Sequence, residues 1–294
     1  MDTLSLRLFL RIADLGAVSA AAHDLSLSPA SASARLAKLE ASIGFRLFNR
    51  TTRAISLTTD GAEFLPYARQ VIETLETGLG AVSGQGTQAQ GLLRMTMPGS
   101  FGRMHIIPDL AAFQSRHPLV TLDLRLSDEV LDVVEGAYDL IVRNARLADS
   151  SFVARKLAPD RRLLVASPAY LELHGVPSTP DDLMRHQCVL LANDNRWKFE
   201  NGQTVNVPRS FAVNDGEAMR IMIENGMGIG MKSVWNACES LRAGLLVEVL
   251  PEFPLVTEAS IWALYPSSRI VAPKVRAMID FLLERFQPVP PWER

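Results

Sequence analysis

Two short helical segments joined by a link of three residues, Ser26-Leu27-Ser28, constrain this chain more than any other feature. The first segment is predicted to begin at Ser19 as its N-cap. Its small apolar face consists of Ala20, Ala21, Ala22 and Leu25. In the second segment Ser28 is a favourable N-cap and Pro29 a favourable first residue, because proline lacks the N–H that has no partner there. The link leaves room only for a turn, so the pattern predicts a helix-turn-helix.

The second helix has two chemically different faces, and Gly44 is placed to end it. Apolar residues recur on one face at spacings of three and four, at Ala32, Leu36, Leu39 and Ile43. The other face carries short hydroxyls and two long cations, at Ser31, Ser33, Arg35 and Lys38. Such a surface can enter a major groove, donate to base edges and neutralise phosphate. We interpret Ser28 to Lys38 as a recognition helix, with an ordinary packed helix pair as the alternative.

A hairpin is predicted directly after the two helices. Alternating apolar residues flank the tip Thr51-Thr52-Arg53, which is typical of a two-stranded wing. Basic residues outnumber the single acid Glu40 in this region, at Arg35, Lys38, Arg46, Arg50 and Arg53. This local excess suits a phosphate backbone, and we expect Arg50 and Arg53 to contact phosphate.

The run from Ser28 to Gly44, followed by Leu47-Phe48-Asn49-Arg50 and the segment from Leu57 to Gly61, resembles the LysR-type transcriptional regulators. The resemblance implies a winged helix-turn-helix that reads an interrupted palindrome in double-stranded DNA, in a homodimer or homotetramer. Ala34 departs from the family pattern, which commonly has Arg or Lys there, so one contact is missing or moved to Arg35. The candidate DNA-binding residues are Ser28, Pro29, Ser31, Ala32, Ser33, Arg35, Lys38, Arg50 and Arg53.

Length and composition agree with a regulator of several domains. A chain of 294 residues exceeds the usual size of one core, and its hydrophobic content of 48% is that of a globular protein. The net charge of −2 argues against a protein that coats nucleic acid, but it allows a local basic patch. Cys188 and Cys238 are far apart and are expected as free thiols in a reducing cytoplasm, ahead of a redox disulfide. With no signal segment or membrane-spanning run, the sequence predicts a cytoplasmic protein.

Two further helices are predicted in the N-terminal third. An amphipathic first helix from Leu4 ends at Gly16 and should close the core under the recognition helix. A long helix should begin after Thr59 as its N-cap. Its apolar residues follow four-three spacing, at Phe64, Ala68, Val71, Leu75, Gly78 and Val82. We favour dimerisation through this seam over packing on the chain's own C-terminal domain. A small polar hinge follows, from Ser83 to Gly91.

After the hinge, strand-like and helical segments alternate, which predicts a doubly wound α/β sheet. They include a helix over Glu129 to Glu135, a strand over Asp139 to Val142 and, as the next strand, Leu163 to Ala166. About two hundred residues of this kind, interrupted near the middle, suit two lobes. This half resembles the LysR-family effector domain, which has the layout of type 2 periplasmic-binding proteins. By that resemblance the chain crosses to the second lobe near Ala166 and returns near Tyr265. The fold class is thus an α+β multidomain protein, with residues 1–58 as winged helix-turn-helix, 59–90 as linker helix and hinge, and 91–294 as effector domain. Lobe 1 should contain residues 91–166 and 267–294, and lobe 2 residues 167–266.

A ligand site is predicted between the lobes. In open α/β sheets, ligands bind at the carboxyl ends of strands, often against helix N-termini. The residues at those positions are Ser100, Phe101, Ser127, Arg143, Val213 and Asn214. We expect them to bind a small anion, in particular a carboxylate. The alternative is that Ser100 and Asn214 only cap helices and Arg143 pairs with a surface acid.

Other classes of protein fit the sequence less well. Gly99-Ser100-Phe101-Gly102 lacks the spacing of a nucleophile elbow, and the glycine-rich segment from Gly226 to Gly230 precedes a strand instead of following one. The five histidines are scattered without metal-ligand spacing. We therefore expect no catalytic residues, metal or cofactor. A transport solute-binding protein fits the C-terminal half, but not the DNA-binding N-terminus.

Overall fold

The computed structural model describes residues 2–50, 55–82, 88–128, 138–146, 152–192, 194–266 and 271–294. The chain divides into two compact units, the first reaching Gln88 and the second comprising nearly all of the chain from Ala89 onward. The predicted wing tip Thr51-Thr52-Arg53, most of the hinge and the helix predicted over Glu129 to Glu135 lie outside the described residues. No helix in the described part of the chain is long and apolar enough to cross a membrane.

The first unit is a winged helix-turn-helix followed by a long helix. Its elements are α1 (Thr3–Leu15), α2 (Val18–Asp24), α3 (Pro29–Ile43), β1 (Phe48–Arg50), β2 (Ile55–Leu57) and α4 (Thr59–Val82). Ser28 caps α3 by accepting a hydrogen bond from the Ser31 N–H at 3.2 Å. Gly16 and Gly44 end α1 and α3 at φ values of +65° and +88°, which favour glycine. These caps and stops confirm the sequence predictions.

Two of the predicted helix starts were wrong by one or two residues. The N-cap of α2 is Ala17, not Ser19, and no side chain caps it. The left-handed Gly16 is followed by an extended Ala17, so the new helix starts at once. For α4 the capping hydroxyl belongs to Thr58, not Thr59, and it accepts from the Gly61 N–H at 2.8 Å. The same hydroxyl donates to the Arg46 carbonyl at 2.6 Å, which ties α4 to the start of the wing.

The core of the first unit joins all four helices to the wing. Phe9 packs against Phe48 and Phe64, with ring centroids 5.5 and 5.6 Å apart. The predicted apolar residues of α3 are buried here, apart from Ile43 at the margin. A Cβ on Gly61 would lie 2.1 Å from the carbonyl oxygen of Leu47, so only glycine lets α4 approach the wing this closely.

The second unit contains two five-stranded sheets and a small hairpin. Its strands are β3 (Gly91–Met97), β4 (Val120–Leu126), β5 (Leu140–Ala145), β6 (Phe152–Pro159), β7 (Arg162–Ala166), β8 (Cys188–Leu191), β9 (Arg196–Lys198), β10 (Thr204–Asn206), β11 (Phe211–Val213), β12 (Ile229–Ser233), β13 (Val247–Val249) and β14 (Ser260–Pro266). The first sheet has the order β4-β3-β5-β14-β6 and the second β11-β8-β12-β7-β13, while β9 and β10 pair with each other. The two sheets define a first and a second lobe.

Helices connect and cover these strands. They are α5 (Gly99–Phe101), α6 (Leu110–Arg116), α7 (Pro168–His174), α8 (Gly216–Glu224), α9 (Val234–Arg242) and α10 (Pro273–Phe286). Between α5 and α6 the helical path continues through a π turn, Gly102–Ile106, and a 3₁₀ turn, Ile107–Asp109. A Cβ on Gly102 would lie 2.6 Å from a Leu126 methyl carbon, so glycine allows this segment to lie on β4. Cys188 and Cys238 are free and buried, as predicted.

The structure differs from the sequence prediction in where the chain changes lobe. The predicted crossings lay near Ala166 and Tyr265. In the structure β7 already belongs to the second sheet and β14 to the first, so the chain crosses before Arg162 and again before Ser260. The strand Phe152–Pro159 was not predicted at all. Sheet membership is set by partners distant in the chain, which an apolar run does not reveal.

Candidate DNA-binding face and interlobe site

The polar face of α3 is open on the first unit. Ser28, Pro29, Ser33 and Lys38 are exposed, and Ser31 and Arg35 are half-buried at its edge. Ala32 is 0% exposed and packs in the core. Its inclusion among the DNA contacts was therefore wrong, because a buried methyl group cannot reach a duplex. What remains is a narrow strip of hydroxyls and cations, which fits a major groove.

Arg35 has a partner that the sequence did not reveal. Its Nη1 lies 3.3 Å from both carboxylate oxygens of Asp2, the residue that caps α1. Asp2 also accepts from the Ser5 N–H at 2.8 Å. That backbone hydrogen bond, with the charge of Arg35 as a smaller contribution, lowers the pKa of Asp2. Because such an exposed ion pair is weak, Arg35 can exchange this partner for a phosphate or a base.

Glu40, the single acid among the basic residues, is turned inward. Its Oε1 accepts from the backbone N–H of Leu47 at 2.8 Å and of Phe48 at 3.4 Å. The carboxylate therefore holds the beginning of the wing, while Lys38 and Arg46 stay exposed. Arg50 pairs with Ile55 in the wing ladder, whereas Arg53 lies outside the described residues. The sequence signalled the excess of basic residues but not this structural role of Glu40.

The long helix α4 buries only part of its apolar surface within the first unit. Ala68 and Ile72 are buried, and Arg69 binds Asp14 of α1 at 2.7 Å. Large apolar side chains that recur every four residues of the same helix are exposed by 37 to 63%, at Tyr67, Val71, Leu75 and Leu79. Two of the predicted seam residues, Val71 and Leu75, belong to this exposed row.

In the second unit, contacts link the two lobes near the ends of β3 and β11. Arg103, just after α5, forms an ion pair with Glu217 in the first turn of α8. His105 Nε2 lies 2.8 Å from the carbonyl oxygen of Trp235 in α9. Burial lowers the pKa of His105, so the imidazole is neutral at pH 7 and donates to that carbonyl. The ion pair brings the N-terminus of α8 close to α5, and the hydrogen bond joins the start of α9 to the segment that follows α5.

The predicted ligand residues are only partly brought together. Ser100 is 3% exposed and lies near Gly216, the first residue of α8. Ser127 continues the ladder by donating its N–H to the Met97 carbonyl at 2.9 Å. Val213 and Asn214 precede α8, but the residue that caps this helix is Asp215, which accepts from the Ala218 N–H at 2.7 Å. Asn214 is exposed and does not have the capping role considered for it.

Phe101 does not belong to the ligand-binding surface. Its ring is 0% exposed and packs against four aromatic rings, with centroids 5.2 to 5.8 Å away, of His105, Trp235, Phe286 and Trp292. The prediction of a ligand contact was wrong for its side chain, because the helical path after β3 turns the ring into the core. Phe101 instead supports the position of its neighbour Ser100.

Charged groups converge at the strand ends of the first lobe. Burial raises the pKa of Asp128, and the carboxylate of Asp215 raises it further. The backbone N–H of Gly99 and the cations Arg143 and Arg103 act in the opposite direction. Burial lowers the pKa of Arg143, and Asp128 opposes that shift. Carboxylates and guanidinium groups thus share a partly desolvated space. Lys232 of β12, which sequence reasoning missed, is buried beside it with its Nζ 2.5 Å from the Gly216 carbonyl oxygen.

A winged helix-turn-helix joined to a two-lobed α/β domain with a polar cluster between its lobes defines a ligand-responsive DNA-binding regulator. Residues 4–62 match the bacterial regulatory helix-turn-helix protein, lysR family, and residues 86–287 match the LysR substrate binding domain. The chain belongs to the LysR family of transcriptional regulators. Its relatives are named as transcriptional regulators, and the family is not enzymatic.

Similar proteins extend over nearly the whole chain. A probable HTH-type transcriptional regulator of Klebsiella pneumoniae, LtrA, is 33% identical over 287 residues, which cover 95% of this chain and 93% of the relative. The structure of CrgA, a LysR-type regulator from Neisseria meningitidis, is 28% identical with a TM-score of 0.63, covering 97% and 98% of the two chains. The Vibrio cholerae virulence activator AphB is 27% identical with a TM-score of 0.61, covering 97% and 99%.

Proposed function

We propose that this LysR-type regulator binds an interrupted palindromic operator as a homodimer or homotetramer. A small anionic effector, in particular a carboxylate, binds between its lobes and changes how the two half-sites are held. In this proposal residues 1–58 bind DNA, residues 59–90 link the protomers and residues 91–294 bind the effector. The observation that carries the DNA-binding part is the open strip of hydroxyls and cations on α3.

The proposal of a two-fold dimer is supported by the exposed apolar row on α4. A helix-turn-helix usually reads two half-sites about one helical turn apart, which requires two copies in a fixed geometry. Row residues such as Leu79, at 63% exposed, present a surface that a second α4 can cover. Homotypic pairing of α4 would bury the row and set the spacing of the two α3 helices.

The proposal of an anionic effector is supported by the groups between the lobes. Ser100, Arg143 and the N-terminus of α8 supply hydrogen-bond donors at strand ends, where α/β sheets bind ligands. An effector acts by preferring one quaternary arrangement, because a ligand shifts an equilibrium only by its difference in affinity for the two states. Contacts to both lobes offer such a preference.

The experiment is to capture genomic DNA fragments with the purified full chain, and then to titrate the captured operator and a shuffled duplex at increasing salt. A sequence-specific regulator should prefer the operator at every salt concentration. Its log–log slope should be about −0.9 for each phosphate contacted. Addition of a pool of small carboxylates should change operator affinity or the protected region. Equal binding of operator and shuffled DNA would contradict the proposal.

A further inference from the structure

Lys232 is a buried ammonium group whose charge is not matched by a neighbour. The residue is 4% exposed, and its Nζ donates one hydrogen bond, to the Gly216 carbonyl. Among the described residues no carboxylate oxygen lies within 4.0 Å of this nitrogen. Lys274, also buried, has its Nζ 3.1 Å from Asp139 Oδ2 and 2.6 Å from the Leu92 carbonyl oxygen. Buried charges are costly unless paired, so the isolation of Lys232 needs an explanation.

The acids near Lys232 are already engaged. Asp215 caps α8, and Glu224 accepts from Arg220 at 2.5 Å. Asp215 and Glu224 favour the charged lysine, whereas the cations Arg220 and Arg162 oppose it. Burial is the largest influence, and together these effects lower the pKa of Lys232 to about 7. The surroundings therefore do not supply the counter-charge.

A second buried donor approaches the same place from the other lobe. Ser100 is 3% exposed, and its hydroxyl has no hydrogen-bond partner in the part of the chain that the structure describes. A Cβ on Gly216 would lie 3.8 Å from both Ser100 Oγ and Lys232 Nζ. Gly216 is the first residue of α8, where backbone N–H groups lack helical partners. A hydroxyl, an ammonium and a helix N-terminus thus meet where glycine leaves space.

We propose that Lys232 is the cation that binds the carboxylate of a small organic acid between the lobes, with the Ser100 hydroxyl as a second donor from the opposite lobe. This rests on the proposed function, since it assumes that the effector enters between the lobes. It names Lys232 as the residue that supplies the positive charge. It also names Lys232 and Ser100 as the residues of the two lobes that the ligand joins. An anion held by both residues would couple binding to the position of the lobes.

The proposal predicts proton uptake on binding. Only the ammonium form attracts a carboxylate, and the bound anion raises the pKa of that ammonium. Since Lys232 of the ligand-free protein titrates near pH 7, affinity should fall about tenfold per pH unit above that value. The fall should end once the pH passes the raised pKa of the complex.

The experiment is NMR of the full chain labelled with ¹³Cε-lysine. The chain has only five lysines, Lys38, Lys156, Lys198, Lys232 and Lys274, and the Lys232→Met variant assigns the signal. The probes are acetate, succinate and benzoate at millimolar concentrations, with chloride as the ionic-strength control. We expect a carboxylate, but not chloride, to move the Lys232 signal saturably and to raise its pKa. If none of the three moves this signal, the anion-binding role of Lys232 is overturned.

Variants separate this proposal from the proposed function. For a carboxylate that binds the wild type, Lys232→Met should raise Kd about 10- to 100-fold, the range for a charge-assisted hydrogen bond. The matched control Lys198→Met, on the exposed part of the same lobe, should leave Kd unchanged. Thermal melting checks that both variants fold. If Lys232→Met binds the carboxylate with unchanged Kd, or if the effector binds without moving the Lys232 signal, the role of Lys232 fails while the effector-responsive regulator stands.

Discussion

Lys232 and Lys274 are both buried lysines, but only Lys274 forms an ion pair with a carboxylate in the described part of the chain. Removing a buried charge that lacks a partner relieves a desolvation cost, whereas removing one member of a buried pair leaves the other unpaired. Lys232→Met should therefore stabilise the ligand-free protein by about 1–3 kcal/mol at pH 6. Lys274→Met should destabilise it by about 2–4 kcal/mol, because Asp139 loses its ion pair.

The gain from Lys232→Met should also depend on pH in a defined direction. The folded pKa of Lys232, about 7, lies below the ordinary lysine value of 10.5. Between these pH values Lys232 is protonated in the unfolded chain but neutral in the folded chain. The free energy of unfolding of the wild type therefore decreases as the pH falls from 10.5 to 7. Below pH 7 the loss is complete. Chemical denaturation at pH 6 and pH 10 should show the two proteins converging at the higher pH. A constant difference would contradict the lowered pKa.

Arg35 is the residue of α3 whose role in DNA binding can be tested most directly. Arg35→Ala should weaken operator binding by about 1–3 kcal/mol if the guanidinium reads a base. Asp2→Asn is the matched control, because asparagine still caps α1 but no longer holds Arg35 by charge. This control should bind the operator more tightly than the wild type. Fluorescence anisotropy with operator and shuffled duplexes measures the two affinities. An equal loss of affinity for both duplexes would indicate that Arg35 contacts the phosphate backbone and not a base.

At the scale of elements, local chemistry decided what could be predicted from the sequence. The cap at Ser28, the stop at Gly44 and the buried face of α3 each depend on residues within a few positions, and all were predicted correctly. The pairing of Asp2 with Arg35 joins residues 33 positions apart, and the proximity of Ser100 to Gly216 joins two lobes. Such contacts leave no periodic signal, so these parts of the candidate sites required the structure.

The exposed apolar row of α4 provides a prediction for a whole element. Leu75→Asp with Leu79→Asp places two charges in the proposed seam, where no partner compensates their desolvation. Sedimentation should show the protein shifting from dimers or tetramers to monomers, with operator affinity reduced because only one half-site is held. The control Gln70→Asp adds charge at an exposed polar position of the same helix and should leave assembly intact. Unchanged assembly of the double variant would place the interface elsewhere.

At the scale of the whole molecule, the effector site and the DNA-binding site must be energetically coupled if a ligand between the lobes is to alter DNA binding. Coupling between two binding sites is reciprocal. If the carboxylate changes the regulator's affinity for operator by some factor, the operator must change the regulator's affinity for the carboxylate by the same factor. Couplings of about 5- to 150-fold are typical for such systems.

Isothermal titration of the carboxylate into the free regulator and into its operator complex measures this factor directly. The two Kd values should differ by the same ratio as the operator Kd values measured with and without the carboxylate. In Lys232→Met both ratios should fall towards one, because the ligand no longer joins the ammonium of one lobe to the hydroxyl of the other. Identical carboxylate affinities in free and operator-bound wild type would contradict a population shift. The effector would then act after DNA binding, without changing the affinity of the regulator for its operator.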